Sequence, residues 1–211
     1  MKRFIVGVCT MCIGVMGVQA QHFDNSSISL NTTSFGYPDT ATFGQVFTAP
    51  NSVLDDWTIY LQNSGGTSQN FEFFLMGWDG AEATGSVLYQ SGIQTIDASE
   101  TSDTAFTVDP NTTITTGGSY VMFINESGLN VGTDGFVAQG INTSFPLGGS
   151  FVYLNNGDDF PEVTTTPWSN RLSEYDTAYI ADFSAAPVPE PATLMLGLGG
   201  LATISLFRRR K

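Results

Sequence analysis

The feature that most constrains this chain is a periodicity it never keeps. Between its two ends, no stretch holds apolar residues at helical spacing for three turns. Apolar runs of four to nine residues alternate instead with clusters of Gly, Asn, Asp, Ser and Pro. Runs of that length suit strands, whereas an amphipathic helix needs ten or more periodic positions. The pattern predicts an all-β body with strands at 27–32, 42–48, 54–62, 70–78, 86–90, 104–108, 119–125, 135–139, 150–154 and 177–183. Many short strands separated by turn signals suggest an antiparallel β-sandwich of jelly-roll-like form.

Alternation assigns faces within the strands. Trp57, Ile59 and Leu61 share one side, Thr58 and Tyr60 the other, so one face of that strand is core. In 71–76, Phe71, Phe73 and Leu75 alternate with Glu72, Phe74 and Met76; both sets are largely apolar, as in a central strand covered on both sides. The breaks carry turn chemistry: Asn63-Ser64-Gly65-Gly66, Asp79-Gly80, Asp109-Pro110-Asn111, Gly117-Gly118, Asp134-Gly135 and Asn155-Asn156-Gly157 suit tight turns or positive φ. No internal repeat is evident.

Charge sets the next limit. Of the seven Lys and Arg residues, Lys2, Arg3, Arg208, Arg209, Arg210 and Lys211 lie at the termini, and Arg171 is alone between them. Residues 21–186 hold one Arg against nineteen acids, a net charge of −18 with His22 neutral. Such a body repels nucleic acid and anionic headgroups. With few ion pairs available, its stability must come from apolar burial, which the aromatic residues supply at about 150–250 Å² each. Both cysteines, Cys9 and Cys12, fall in the N-terminal apolar run, so the body has no thiol for catalysis or metal binding.

The two ends read as targeting segments. Met1-Lys2-Arg3 is basic, residues 4–18 are apolar, and Val18-Gln19-Ala20 offers the small residues a signal peptidase reads, so a secretory signal peptide is expected over 1–20, cut between Ala20 and Gln21. At the other end, Val188-Pro189-Glu190-Pro191 opens onto an apolar run, 192–207, that stops at Arg208-Arg209-Arg210-Lys211. Pro191 suits a first helical turn, where its missing N–H costs nothing. Sixteen helical residues span about 24 Å, short of a hydrocarbon core of about 30 Å unless the terminal cations snorkel. Those cations form the membrane stop, and by the positive-inside rule they leave the body outside the cytoplasmic membrane. The division expected is 1–20 signal peptide, 21–186 β-sandwich domain and 187–211 C-terminal tail with a transmembrane helix.

The tail closely resembles the PEP-CTERM sorting signal of Gram-negative bacteria: the motif Pro189, Glu190, Pro191, then a hydrophobic helix, then an Arg cluster. The resemblance implies a route. In that family an integral-membrane, transpeptidase-like enzyme, exosortase, processes the tail near the motif. It implies a protein held in the inner membrane by its C-terminal helix before processing, then found at the cell surface or outside the cell. The stretch from Gly44 through Tyr89, with its Gly44-Gln45-Val46-Phe47-Thr48-Ala49-Pro50 and Ala83-Thr84-Gly85-Ser86 segments, is also similar to the bodies of other PEP-CTERM proteins, a likeness that supports the fold.

Catalytic chemistry finds few residues. The only imidazole is His22, expected to be solvated at a frayed N-terminus, and the lack of Lys in the body removes Ser–Lys and Schiff-base mechanisms. Carboxylates such as Glu72 and Glu82 could serve a glycosidase, but no pair is marked out by its sequence context. Calcium would draw on the loop acids Asp55, Asp56, Asp79, Asp134, Asp158 and Asp159, with Asp158 and Asp159 the foremost candidates; no EF-hand loop is present, and turn formation accounts for most of these residues. For sugar contact the aromatic candidates are Tyr60, Trp78, Tyr89, Tyr153 and Trp168. Trp168 stands out because it lies in the polar segment Thr164-Thr165-Thr166-Pro167-Trp168-Ser169-Asn170-Arg171, and Trp168 and Trp78 are the ligand-contact residues expected.

The expectation is an exported, non-enzymatic surface or extracellular-matrix protein without a cofactor other than calcium. Its partners would be signal peptidase, an exosortase-like membrane enzyme and extracellular polysaccharide. A glycan-binding module or carbohydrate-active enzyme of β-sandwich fold is the alternative.

Overall fold

A computed structural model describes residues 19–38, 40–130 and 135–186. The expected signal run, the sorting tail with its transmembrane helix, and Asp134 lie outside the described residues.

The strands are β1 (Gln21–Asn25), β2 (Leu30–Phe35), β3 (Thr42–Thr48), β4 (Val53–Asn63), β5 (Gln69–Trp78), β6 (Ala83–Gln90), β7 (Gln94–Ile96), β8 (Thr104–Val108), β9 (Thr112–Thr113), β10 (Ser119–Asn125), β11 (Val137–Asn142), β12 (Phe151–Leu154), β13 (Asp176–Thr177) and β14 (Tyr179–Ser184). One short 3-10 helix, Phe160–Thr164, follows β12. The strands form two antiparallel sheets. The larger runs β1-β14-β4-β11-β13, with β2 on β11 and β8 and β9 on β4; the smaller runs β12-β3-β10-β5-β6, with β7 on β5. The all-β expectation holds as two antiparallel sheets packed face to face.

The turns form where their residues make them cheap. At the β4–β5 turn the Asn63 side chain accepts the N–H groups of Gly65 and Gly66, and Gly66 sits at φ +71°. After β5, Asp79 Oδ1 accepts from Ala81 and Glu82, both at 2.9 Å, and Gly80 takes φ +109°.

The core between the sheets joins Trp57, Ile59 and Leu61 of β4 to Phe43 and Phe47 of β3 and Phe71, Phe73 and Leu75 of β5. Trp57 stacks on Tyr179 at 4.9 Å and meets Phe47 at 5.1 Å, so the aromatic residues bridge the layers. A second apolar cluster covers the outer face of the smaller sheet: Val46, Phe74, Met76, Val121 and Phe123 lie under Phe160, Val163 and Trp168. This accounts for the double-sided apolar pattern of β5. The cover is the 3-10 helix and the segment after it.

Four sequence expectations shift. Strand β1 went unrecognised because Gln-His-Phe-Asp-Asn has no apolar run; it is an edge strand that pairs with β14 from Gln21↔Phe183 to Asn25↔Tyr179. His22 is therefore in a ladder, not frayed. The strand expected at 27–32 lies at Leu30–Phe35, after the turn in which Asp24 Oδ1 accepts the Ser26 N–H. The strand expected at 177–183 divides at Ala178, where the chain passes from pairing with β11 to pairing with β4 and β1.

Register also orients the molecule. Gln21 opposes Phe183, and Ser184 opposes Val53, so both ends of the body reach the end of the sandwich where β3 turns into β4. That turn holds both: Asn51 Nδ2 donates to Gln19 O at 3.4 Å, and Ala186 N–H donates to Ser52 Oγ at 2.8 Å. Thr42, Asn63, Asn125 and Leu154 lie at the opposite end.

Candidate functional site

The end away from residues 19 and 186 carries a surface depression. Strand β12 brings Tyr153 beside Phe43 of β3, and the chain continues into Asn155. The segment 166–171 is docked on β12 by a two-way backbone pair, Tyr153 N–H to Ser169 O at 3.1 Å and Ser169 N–H to Tyr153 O at 2.8 Å. Between these elements lies a groove of about 390 Å³ lined by Thr32, Thr40, Tyr153, Asn155, Arg171 and Leu172 over Phe43. A second depression of about 320 Å³ adjoins it and shares Tyr153, Asn155 and Arg171, adding Thr166, Pro167 and Ser169.

The chemistry of this trough is neutral and polar around one cation. Thr40 Oγ1 donates to Asn155 Oδ1 at 2.7 Å, which fixes the amide so that Nδ2 is a donor with no acceptor among the described residues. Tyr153 is half-buried, its ring 6.5 Å from Phe43 and 6.2 Å from Phe151. Arg171 is exposed and forms no ion pair with a carboxylate among the described residues. Among the described residues, no carboxylate, imidazole or thiol lines either depression. The trough can bind by hydrogen bonds, ring contact and charge.

The aromatic residues expected to touch ligand are placed differently. Trp168 is 6 % exposed, its indole Nε1 donates to Val163 O at 2.9 Å, and its ring meets Phe123 at 5.2 Å and Trp78 at 5.6 Å, both edge-on. Trp168 is a core residue of the outer cluster, so the ligand role expected for it is corrected. A polar neighbourhood in sequence concealed a single large ring that closes an apolar face. Trp78 is half-buried against the same cluster. Tyr89 packs partly against the inter-sheet core, and Tyr60 is half-buried on β4. Of the five, Tyr153 is the one that lines the trough.

The acids separate into three environments. Asp158 and Asp159 are exposed; Asp158 Oδ1 accepts the Gly128 N–H at 3.2 Å, and Asp159 precedes the 3-10 helix. Among the described residues no group of three or more His, Cys, Asp or Glu side chains is placed to hold a metal ion. Glu72 accepts from Gln90 Nε2 at 3.1 Å across β5 and β6, and Asp55 accepts from Ser184 Oγ at 2.8 Å. On the larger sheet His22, Asp182 and Asp56 occupy one row across β1, β14 and β4, with His22 Nδ1 and Asp182 Oδ1 2.8 Å apart. A hydrogen bond to the Asp109 carboxyl, then burial, then the charges of Asp109, Asp182 and Asp55 push Asp56 up to about 6.

Among the described residues two carboxyls are buried. Asp176 is wholly covered between the sheets and accepts from Gln45 Nε2 at 2.7 Å; burial pushes it up to about 7, against the lowering effect of that hydrogen bond. Glu126 follows β10, accepts from Asn130 Nδ2 at 2.8 Å, and burial pushes it up to about 7. Near Asp176's partner Gln45 the sheets enclose a void of about 10 Å³, bordered also by Gln139 and Thr177. That is room for a water at most.

Against known proteins, the model of the PEP-CTERM protein-sorting motif matches residues 187–211. That motif implies recognition by exosortase, a membrane enzyme, and supports a sorted surface protein. No curated protein matches the chain. Among solved structures it is similar to the clostridial cysteine protease Cwp84 after propeptide cleavage, at 12 % identity and TM-score 0.53, covering 79 % of this chain and 40 % of that one. A structure of the cysteine protease and lectin-like domains of Cwp84, a surface layer associated protein of Clostridium difficile, aligns at 12 % identity and TM-score 0.46, covering 70 % of this chain and 32 % of that one. This chain spans less than half the length of both, and at this identity the likeness at TM-score 0.53 bears on fold alone.

Proposed function

We propose that this chain is an exported surface or extracellular-matrix protein whose C-terminal tail is processed by an exosortase-like enzyme, with a β-sandwich body that acts by binding and display rather than by catalysis. The match of residues 187–211 to the sorting motif carries the reading. The fold supports it. Both ends of the body are tied to one turn, at Asn51 and Ser52, so the N-terminal signal and the C-terminal tail leave the sandwich at the same end. A chain held at the membrane through Pro189, Glu190, Pro191 and the helix that follows would then present its opposite end outward. The signal peptide over 1–20 supplies entry to the export route, and the stop at Arg208, Arg209, Arg210 and Lys211 retains the tail until it is cut.

A non-enzymatic body agrees with the site chemistry. The sole histidine sits with Asp182 on the edge pair β1–β14, and among the described residues no carboxylate or imidazole lines the trough. Deleting residues 187–211 tests the route in cells that have the processing enzyme. The tailless protein should leave the cell envelope and no longer change in mass between membrane and surface fractions. The same distribution with and without the tail would overturn the reading.

A further inference from the structure

The body carries nineteen acids and one cation within residues 21–186. In so acidic a surface a lone guanidinium has carboxylates all around it to pair with. Among the described residues, Arg171 pairs with none, and no carboxylate lines either of the two depressions that it borders. The trough is therefore a place where a cation stands without a neighbouring carboxylate among the described residues. A guanidinium presents five donors in a planar fork matched to a carboxylate.

The remaining lining is what a ring of hydroxyls and carbons requires. Asn155 Nδ2 is a donor, and the Thr32 and Thr166 hydroxyls can each donate and accept. Tyr153 adds a half-buried aromatic ring with a hydroxyl at its tip. Two depressions that share Tyr153, Asn155 and Arg171 make a trough that suits a chain laid across the surface better than one compact ion.

We infer that this trough binds an acidic saccharide, a uronate-containing glycan, with Arg171 taking the sugar carboxylate and Tyr153, Asn155 and the threonine hydroxyls taking the ring. The assignment deepens the surface-protein reading and rests on it for the ligand's setting. The acidity of the body does not forbid such a ligand. At physiological salt, charges farther away than about 8 Å are largely screened, and among the described residues the groups lining the trough are neutral apart from the arginine.

The test uses the full chain in detergent, titrated by calorimetry at physiological salt with tetragalacturonate, with neutral galactotetraose as the uncharged counterpart, and with inorganic phosphate as competitor. Wild type should bind the uronate, prefer it over the neutral sugar, and keep it in the presence of phosphate. Arg171→Gln should weaken uronate binding by about tenfold or more, the loss expected of one charge-assisted pair, and leave binding of the neutral sugar unchanged. Arg171→Lys should retain part of the preference. Arg171 is exposed, so far-UV circular dichroism of these variants should match wild type.

Absence of uronate binding, or equal binding in Arg171→Gln, would overturn the assignment. Equal affinity for the neutral sugar would remove the carboxylate from it, and displacement by phosphate would reduce the trough to a simple anion site; either result overturns it. Sorting does not enter these titrations, so a protein processed at its tail that ignores uronate would refute the trough alone.

Discussion

Gln45 of the smaller sheet and Asp176 of the larger face each other across the core. Gln45 Nε2 donates to Asp176 Oδ1 at 2.7 Å, and the Gln45 Oε1 accepts the Thr177 N–H at 2.7 Å. One amide side chain thus ties β3 to β13 twice. The second carboxylate oxygen, Asp176 Oδ2, has no hydrogen-bond partner among the described residues, so the ionised form is poorly served in a wholly buried place.

Stability should therefore fall as pH rises. Asp176 moves from an ordinary 3.8 to about 7 on folding, so between those values the folded protein holds a proton that the unfolded chain has released. The contribution is fully present below about pH 4 and lost by pH 8, and Glu126, raised from 4.5 to about 7, acts in the same sense. Asp176→Asn keeps an acceptor for Gln45 and carries no charge. It should be near wild type at pH 5 and more stable by roughly 1–3 kcal/mol at pH 8. Urea denaturation at the two pH values measures this, and a variant that loses stability equally at both would contradict it.

Trp168 lies over Gly44. A Cβ added at Gly44 would stand 3.0 Å from the indole Cζ3, 3.0 Å from Val121 Cγ2 and 3.1 Å from the Phe123 Cβ, so the glycine leaves the space that the ring fills. Trp168→Ala should cost about 3–5 kcal/mol by opening that cavity, and Gly44→Ala about 1–3 kcal/mol by overpacking it. Thermal unfolding followed by circular dichroism checks both. A neutral Trp168→Ala would return the ring to the role of an exposed contact.

The titration of Asp56 should depend on the Asp109 side chain. The hydrogen bond between their carboxyls raises Asp56 to about 6, with the neighbouring charges of Asp182 and Asp55 adding to it. Carbon-13 carboxyl shifts should show an aspartate titrating near pH 6 in wild type and well below that in Asp109→Asn, where the shared proton no longer faces a second acid. An unchanged titration in Asp109→Asn would separate the two residues.

Much of this architecture was legible in alternation. The paired faces of β4 and β5 followed from single residues, Trp57 against Thr58 and Phe73 against Phe74, because a strand's side chains have no choice but to alternate. Strand β1 was not legible, since an edge strand with one covered face needs few apolar residues. Nor was the burial of Trp168, which depends on a 3-10 helix folding back over β3, β5 and β10, a contact between residues far apart in sequence. The trough was half visible. Tyr153 was recognised as an aromatic of interest and Arg171 as the lone cation, but their meeting depends on the backbone pair between Tyr153 and Ser169. Chemistry can be counted in a sequence, whereas adjacency across strands cannot.

The central claim is that the tail is an address and is removed. Intact-mass analysis of the protein recovered from the surface or medium of producing cells tests it most directly. The account predicts a chain that begins at Gln21 and has lost Arg208, Arg209, Arg210 and Lys211 together with the apolar run before them. Recovery there of chains still ending in Lys211 would contradict it.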